Sequence, residues 1–145
     1  MEIYTLGFTK KTAEEFFDIL KRNHIRRLID VRLNNVSQLA GFTKRDDLAF
    51  FLREICAADY SHEPLLAPTQ ELLDSYKKNK GRWEDYESQF TSLIQERSIE
   101  QRISPSLFAV PAVLLCSEPT AEHCHRRIVA EYLRSHWSGV SILHL

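Results

Sequence analysis

The sequence predicts an α/β fold, a single three-layer domain in which helices flank a mostly parallel, Rossmann-like sheet. Short apolar segments alternate with helical patterns along the 145 residues, and parallel neighbouring strands need crossover connections of this kind. The hydrophobic content of 43% is enough for a real core at this length. With four glycines, five prolines and no Ser-rich run, the chain offers no linker, so residues 1–145 are expected to form one domain.

The first third of the chain contains two apolar segments and two helical patterns. Residues 3–7 are apolar and end in a glycine, which is typical of a strand with a tight exit. Thr12 and Glu15 then have the spacing of a capping box at the start of a helix. Residues 28–31 are short and rich in branched side chains, which indicates a second strand. Thr43 is expected to cap the next helix.

The rest of the chain repeats the alternation of strands and helices. Residues 112–116 form a continuous apolar run, as in a strand buried on both faces. The other predicted elements are a short strand within 60–66, a short helix at 70–76, a helix from Trp83 to about Arg102, a last helix ending near residue 138 and a strand at 142–144.

Charge gives no general attraction to nucleic acid. The chain carries 19 basic and 20 acidic residues, a net charge of −1, and neither half is a basic arm or an acidic tail. A nucleic-acid partner is therefore not expected on bulk charge. A small anionic ligand is compatible with this balance, and the oligomeric state stays open.

The three cysteines and the apolar segments point to the cytoplasm. An odd number of widely separated cysteines does not resemble a disulfide framework, so we interpret all three as free thiols in a reducing compartment. The longest apolar stretch, residues 109–116, contains a proline and is far too short for a membrane span. No secretory signal is visible, and we expect no membrane partner.

Polar side chains follow the predicted strands at their carboxyl ends. In parallel sheets, ligands bind at this edge. We therefore expect a cleft built from Thr9, Asp30, Arg32, His62 and Glu118.

Cys124 is the strongest candidate for catalysis. It is expected in the first turn of the last helix, beside His125 and Arg126, where a thiolate is stabilised as a nucleophile. An alternative is that Cys124 packs as a small apolar residue on the buried helix face, four residues before Ile128. Arg126 likewise has two interpretations, an anion-binding residue or a surface partner of Glu122.

Asp30, Arg32 and Glu118 also have two interpretations each. Asp30 can orient a substrate group and Arg32 can bind phosphate or carboxylate, or the two form an internal ion pair. They cannot share one sheet face if the strand continues through both, so one of them lies beyond it. Glu118 either points into the cleft or interacts with the start of the last helix.

The sequence does not favour a metal or a nucleotide cofactor. Cys116, His123, Cys124 and His125 are close together, but no Cys-x-x-Cys pair occurs, and neighbours on a helix point in different directions. We therefore predict no metal site. Glycine-rich nucleotide motifs and a Gly-x-Ser-x-Gly elbow are absent, so no cofactor is predicted.

Three ordered motifs resemble those of the domain of unknown function 488 family. They are Thr5-Leu6-Gly7-Phe8-Thr9, Leu28-Ile29-Asp30-Val31-Arg32, and Leu114-Leu115-Cys116-Ser117-Glu118 followed by Cys124-His125-Arg126. The resemblance covers nearly the whole chain and implies a compact bacterial or archaeal α/β domain without a settled biochemical role.

Two loops depart from the commoner pattern of that family. They are Leu33-Asn34-Asn35-Val36, where a proline is usual, and Leu66-Ala67-Pro68, where a Leu-Gly-Gly loop is usual. The chain thus resembles a divergent branch.

Two classes of function remain open at this point. The first is a small enzyme acting on an anionic metabolite or nucleotide, and the second is a noncatalytic module that binds an anion or a partner. The candidate catalytic residues are Cys124, Asp30 and Glu118, and the candidate ligand-binding residues are Thr9, Arg32, His62, His125 and Arg126.

Overall fold

The computed structural model describes residues 1–36 and 41–145, and in this part of the chain it contains a five-stranded parallel sheet. The strand order is β3-β2-β4-β1-β5. The prediction of a mostly parallel sheet flanked by helices is confirmed. The strands are β1 (Glu2–Gly7), β2 (Arg27–Asp30), β3 (Asp59–His62), β4 (Ala112–Cys116) and β5 (Ser141–His144).

Helices cover both faces of the sheet and produce two hydrophobic cores. One core lies between the sheet and the first two helices, and the other lies between the sheet and the remaining helices. In the described part of the chain, no helix is both long enough and apolar enough to cross a membrane. The helices are α1 (Ala13–Arg22), α2 (Arg45–Phe51), α3 (Gln70–Lys77), α4 (Trp83–Glu96), α5 (Ile99–Arg102) and α6 (His125–His136).

The first helix follows the sequence prediction closely. The Thr12 hydroxyl accepts a hydrogen bond from the Glu15 amide at 3.1 Å, and the Glu15 side chain returns to the Thr12 amide. Both contacts satisfy amides that have no partner within the helix. Phe16 and Leu20 are fully buried on the inner face. The capping-box prediction is therefore confirmed.

Three predicted boundaries differ from the structure. Thr43 lies in a short 3-10 turn, and Lys44 occupies the cap position of α2. The predicted helix from Trp83 to Arg102 divides into α4 and α5, because Ser98 adopts a left-handed conformation with φ of 50°. The third strand ends at His62, since a 3-10 turn follows it.

Alternation along β4 decides which side chains meet. Leu114 and Cys116 belong to the core shared with α4 and α6, whereas Leu115 belongs to the core shared with α1. Asp30 of β2 pairs in register with Leu115 and therefore lies on the α1 face. The sheet thus separates Asp30 from Cys116. That residues 1–145 form a single domain stays a prediction.

Candidate functional site

A cavity of about 250 Å³ opens beyond the carboxyl ends of β2 and β4. Its volume lies just below the roughly 300–1,000 Å³ of most ligand pockets, so it suits a small metabolite. Four of the candidate residues line it: Arg32, Glu118, Cys124 and His125. The other described lining residues are Leu33, Asn34, Pro68, Leu73, Tyr76, Lys77, Tyr86, Cys116, Ser117 and His123.

Two cysteines meet at the floor of this cavity. The sulfur atoms of Cys116 and Cys124 lie within bonding distance, and their Cα atoms are 7.7 Å apart. The expectation of three free thiols is thus wrong for this pair and holds for Cys56. Cys124 is also not inside the helix as expected. It precedes α6 as the N-cap residue in an extended conformation (φ −137°, ψ 139°), which turns its side chain toward the end of β4.

Arg126 lies directly beneath the cysteine pair and is fully buried. Its guanidinium donates to the Cys116 sulfur at 3.2 Å, to the Glu118 carbonyl at 2.7 Å and to the Thr5 hydroxyl at 3.3 Å. Burial lowers the pKa of Arg126 to about 10, so the side chain keeps its positive charge at neutral pH. The sequence predicted that Arg126 contacts a ligand directly. Its buried position below the cavity floor does not support such a contact.

Arg127, rather than Arg126, interacts with Glu122. Arg127 donates to the Glu122 carbonyl at 3.2 Å and to the carboxylates of Glu87 and Glu131. The assignment of Arg126 to a surface pair with Glu122 is therefore wrong, because the direction of the first helical turn places Arg126 over the sheet.

Arg126→Met is expected to lower the free energy of unfolding by about 2–3 kcal/mol. The methionine can occupy much of the same volume, but three acceptors, two of them buried, lose their donor, and each hydrogen bond is worth about 1 kcal/mol. Urea denaturation of the reduced protein measures the change. Arg134→Met, an exposed position on the same helix, is the matched control and should change stability by less than about 0.5 kcal/mol. A similar small loss for both variants would contradict the role given to Arg126.

His125 is held in one orientation at the edge of the cavity. Its Nε2 lies 2.7 Å from the Val31 carbonyl, and the edge of its ring packs against Phe90. Burial lowers the pKa of His125 to about 4, so the imidazole is neutral at neutral pH. A carbonyl only accepts hydrogen bonds, so Nε2 carries the proton and Nδ1 carries a lone pair.

His125 and the cysteine pair form a compact group of donor atoms. The two sulfurs and one ring nitrogen of His125 all lie within 4.8 Å of one another. The argument that neighbouring residues must diverge around a helix is therefore wrong for Cys124 and His125. The extended backbone at Cys124 places it before the helix, so the helical rule does not apply to it.

Asp30 and Arg32 form a buried ion pair. The Arg32 Nε and Nη2 atoms each lie 2.8 Å from a carboxylate oxygen of Asp30, with side-chain exposures of 5% and 0%. The Tyr60 hydroxyl donates to Asp30 at 2.6 Å, and burial raises the pKa of Tyr60. β2 ends at Asp30, so Arg32 curls back from beyond the strand, as the alternation argument requires. Of the two interpretations, the internal ion pair is the one observed.

Glu118 lines the cavity, whereas Asp30, Thr9 and His62, which were expected in the cleft, are not among its described lining residues. His62 Nε2 lies 2.9 Å from the Arg32 carbonyl, and the Thr9 amide donates to the Ser117 carbonyl at 3.1 Å. The Glu118 carboxylate accepts a hydrogen bond from Lys77, another lining residue, at 2.5 Å. Thr9 and His62 therefore hold backbone segments, while Glu118 faces the cavity.

A family model matches most of this chain. Described as domain of unknown function DUF488, it matches residues 12–133. The chain belongs to the DUF488 family. No curated protein and no solved structure matches it. The DUF488 match includes every described residue that lines the cavity, whereas β1 and β5 lie outside it.

Sequence reasoning missed one wall of the DUF488 cavity. Tyr76 and Tyr86 lie 4.8 Å apart between ring centroids, Trp83 stacks on Tyr86, and His123 stacks on Trp83 at 5.0 Å. Lys77 adds a cation beside this wall. The sequence placed Trp83 and Tyr86 in one helix, but no signal in it connected α3 to the ends of β2 and β4.

Proposed function

We propose that this protein is an enzyme that binds a small, ring-bearing anion in the cavity and uses Cys124 as a nucleophile. The observation that carries the proposal is the position of the Cys116–Cys124 pair at the cavity floor, at the start of α6 and above the buried Arg126. The positive end of α6 stabilises a Cys124 thiolate, and the guanidinium of Arg126 stabilises the neighbouring Cys116 sulfur, to which it donates. In the reduced protein, this arrangement favours nucleophilic chemistry.

The covalent step needs only the thiolate and an electrophilic carbon of the ligand. Cys124 donates an electron pair to that carbon, forming a carbon–sulfur bond, and the displaced group leaves with the electron pair of the bond that breaks. Glu118 faces the same space and can take up a proton from an attacking water in the following hydrolysis. Asp30 contributes as a positioning residue, since it fixes the guanidinium of Arg32.

Anion binding is supported by Lys77, a cation at the end of α3 that lines the cavity. Arg32 also lines the cavity from beyond the end of β2, but its guanidinium is held by the Asp30 carboxylate. The aromatic wall formed by Tyr76 and Tyr86 offers a surface for a planar ring. Phosphate- or carboxylate-bearing ring compounds therefore fit best.

The second candidate function is a noncatalytic module that binds the same anion. It is favoured by the pairing of the two sulfurs with each other, which leaves neither of them as a free thiolate. In that case the cysteines close the cavity floor, and the bound anion is not converted.

Alkylation of the reduced protein separates these two functions. We expect iodoacetamide to modify Cys124 at least about tenfold faster than Cys56, as mass spectrometry of the peptides will show. Cys56 is the matched control, because burial raises the pKa of its thiol. Equal or slower modification of Cys124 would leave only the binding module.

A ligand panel then tests the anion. Ring compounds that carry a phosphate or a carboxylate should raise the melting temperature of the protein more than neutral analogues do. The Cys124→Ser variant should keep this increase in melting temperature but lose any covalent adduct that intact-mass spectrometry detects. Equal shifts for neutral and anionic compounds would contradict anion binding.

A further inference from the structure

Three donor atoms of the kinds that zinc prefers meet at the cavity floor. The Cys116 and Cys124 sulfurs and one ring nitrogen of His125 lie within 4.8 Å of one another, with both cysteines buried. Two thiolates and an imidazole make up the protein ligands of a known class of catalytic zinc site. Exposed acidic clusters without a metal are common, but here two buried sulfurs meet the imidazole of a half-buried histidine.

The surroundings of His125 strengthen the case for coordination. Its Nε2–H donates to the Val31 carbonyl at 2.7 Å, which leaves the Nδ1 lone pair for a ligand bond. Metal-bound histidines in proteins characteristically donate their other ring N–H to a carbonyl or carboxylate, which fixes the ring and its tautomer. The Phe90 ring packs against the same imidazole and limits its rotation.

The backbone separation of the two cysteines and the hydrogen bond from Arg126 both suit a metal site. The Cα atoms are 7.7 Å apart, wider than in most disulfides, and a tetrahedral zinc ion places two thiolates about 3.8 Å apart. Rotation of the side chains can provide that separation. Arg126 donates to the Cys116 sulfur from below, as an outer hydrogen bond to a coordinating thiolate.

The geometry points to a site for one soft divalent cation, Zn²⁺ or a similar ion, bound by Cys116, Cys124 and His125 in the reduced protein. The fourth position faces the cavity, because all three residues line it. The site also regulates the proposed reaction: a bound ion occupies the Cys124 thiolate and blocks its nucleophilic attack. This regulatory part rests on the proposed function, whereas the binding itself does not.

Cobalt titration of the metal-free full chain, kept reduced with a thiol-free phosphine, tests the site. One equivalent of Co²⁺ should produce a thiolate-to-cobalt charge-transfer band with the visible absorption of a tetrahedral complex, and Zn²⁺ should displace it. Cys116→Ser, Cys124→Ser and His125→Gln should each weaken binding at least about a hundredfold. Cys56→Ser, outside the donor group, is the matched control and should bind like the wild type.

A second measurement needs no variant and so does not depend on variant folding. Zn²⁺ should slow the alkylation of Cys116 and Cys124 together in the wild type, while Cys56 reacts at an unchanged rate. Absence of the charge-transfer band, or cobalt binding that survives loss of both cysteines, would overturn the metal site.

The two proposals fail in different ways. If metal-free Cys124 reacts rapidly but no cobalt binds, the metal site alone is refuted. If cobalt binds through the thiolates but metal-free Cys124 reacts no faster than Cys56, the nucleophile alone is refuted.

Discussion

Gly7→Ala is expected to lower the free energy of unfolding by about 3 kcal/mol or more, the largest effect of any single methyl group considered in this protein. A Cβ atom at this position would overlap the backbone carbonyl oxygen of Glu118 and approach Nη1 of Arg126 to 2.9 Å. The carbonyl belongs to the backbone, so relief requires the end of β1 to separate from the segment after β4. Urea denaturation of the reduced variant measures the loss.

Gly41→Ala is the matched control, because no atom of the described residues lies within 4 Å of the Cβ atom that it would add. Its effect should stay within about 0.5 kcal/mol. Equal stabilities for the two variants would show that the loop after β4 does not approach Gly7 closely. The same Gly7 variant should also disturb Arg126, since the displaced carbonyl is one of the acceptors of its guanidinium.

Asp30→Ala should lower the free energy of unfolding by about 3–5 kcal/mol. The substitution leaves the Arg32 guanidinium buried without its carboxylate and removes the acceptor of the Tyr60 hydroxyl. Asp18→Ala breaks an exposed ion pair with Arg22 and serves as the control, with an expected loss below about 1 kcal/mol. Urea denaturation gives both values.

The double variant Asp30→Leu/Arg32→Met distinguishes a lost ion pair from lost packing. Replacing both charges with apolar side chains removes the unpaired cation, so we expect this variant to be more stable than Asp30→Ala. A double variant as unstable as Asp30→Ala would assign the loss to packing or to the Tyr60 contact.

The fold was predictable because burial patterns depend on local sequence. The continuous apolar run of β4 correctly indicated a strand covered on both faces, and Thr12 with Glu15 correctly placed the start of α1. The break at Ser98 was not predictable, since a serine in a left-handed conformation has no strong signal in one sequence. Tertiary packing, rather than the helix preference of the local sequence, divides the predicted helix into α4 and α5.

Only those site residues that follow a strand could be predicted from the sequence. Arg32, Glu118 and Cys124 all reach the cavity, as their positions after strands indicated. The partner of Cys124 was missed because Cys116, inside an apolar strand, had the character of an ordinary core residue. Its pairing depends on the extended backbone at Cys124, a single departure from helical geometry that residue types do not encode.

The position of β4 determines the order in which the sheet can assemble during synthesis. β4 lies between β1 and β2, and β5 covers the other side of β1, so β1 has both of its neighbours in the last third of the chain. During synthesis, β2 can pair with β3 before β4 and β5, the two neighbours of β1, have been made. These distant pairings give the fold a high contact order, and loop-closure entropy must be overcome before they form. We therefore expect slow folding, in which the apolar β1 segment can form wrong contacts until β4 has been synthesised.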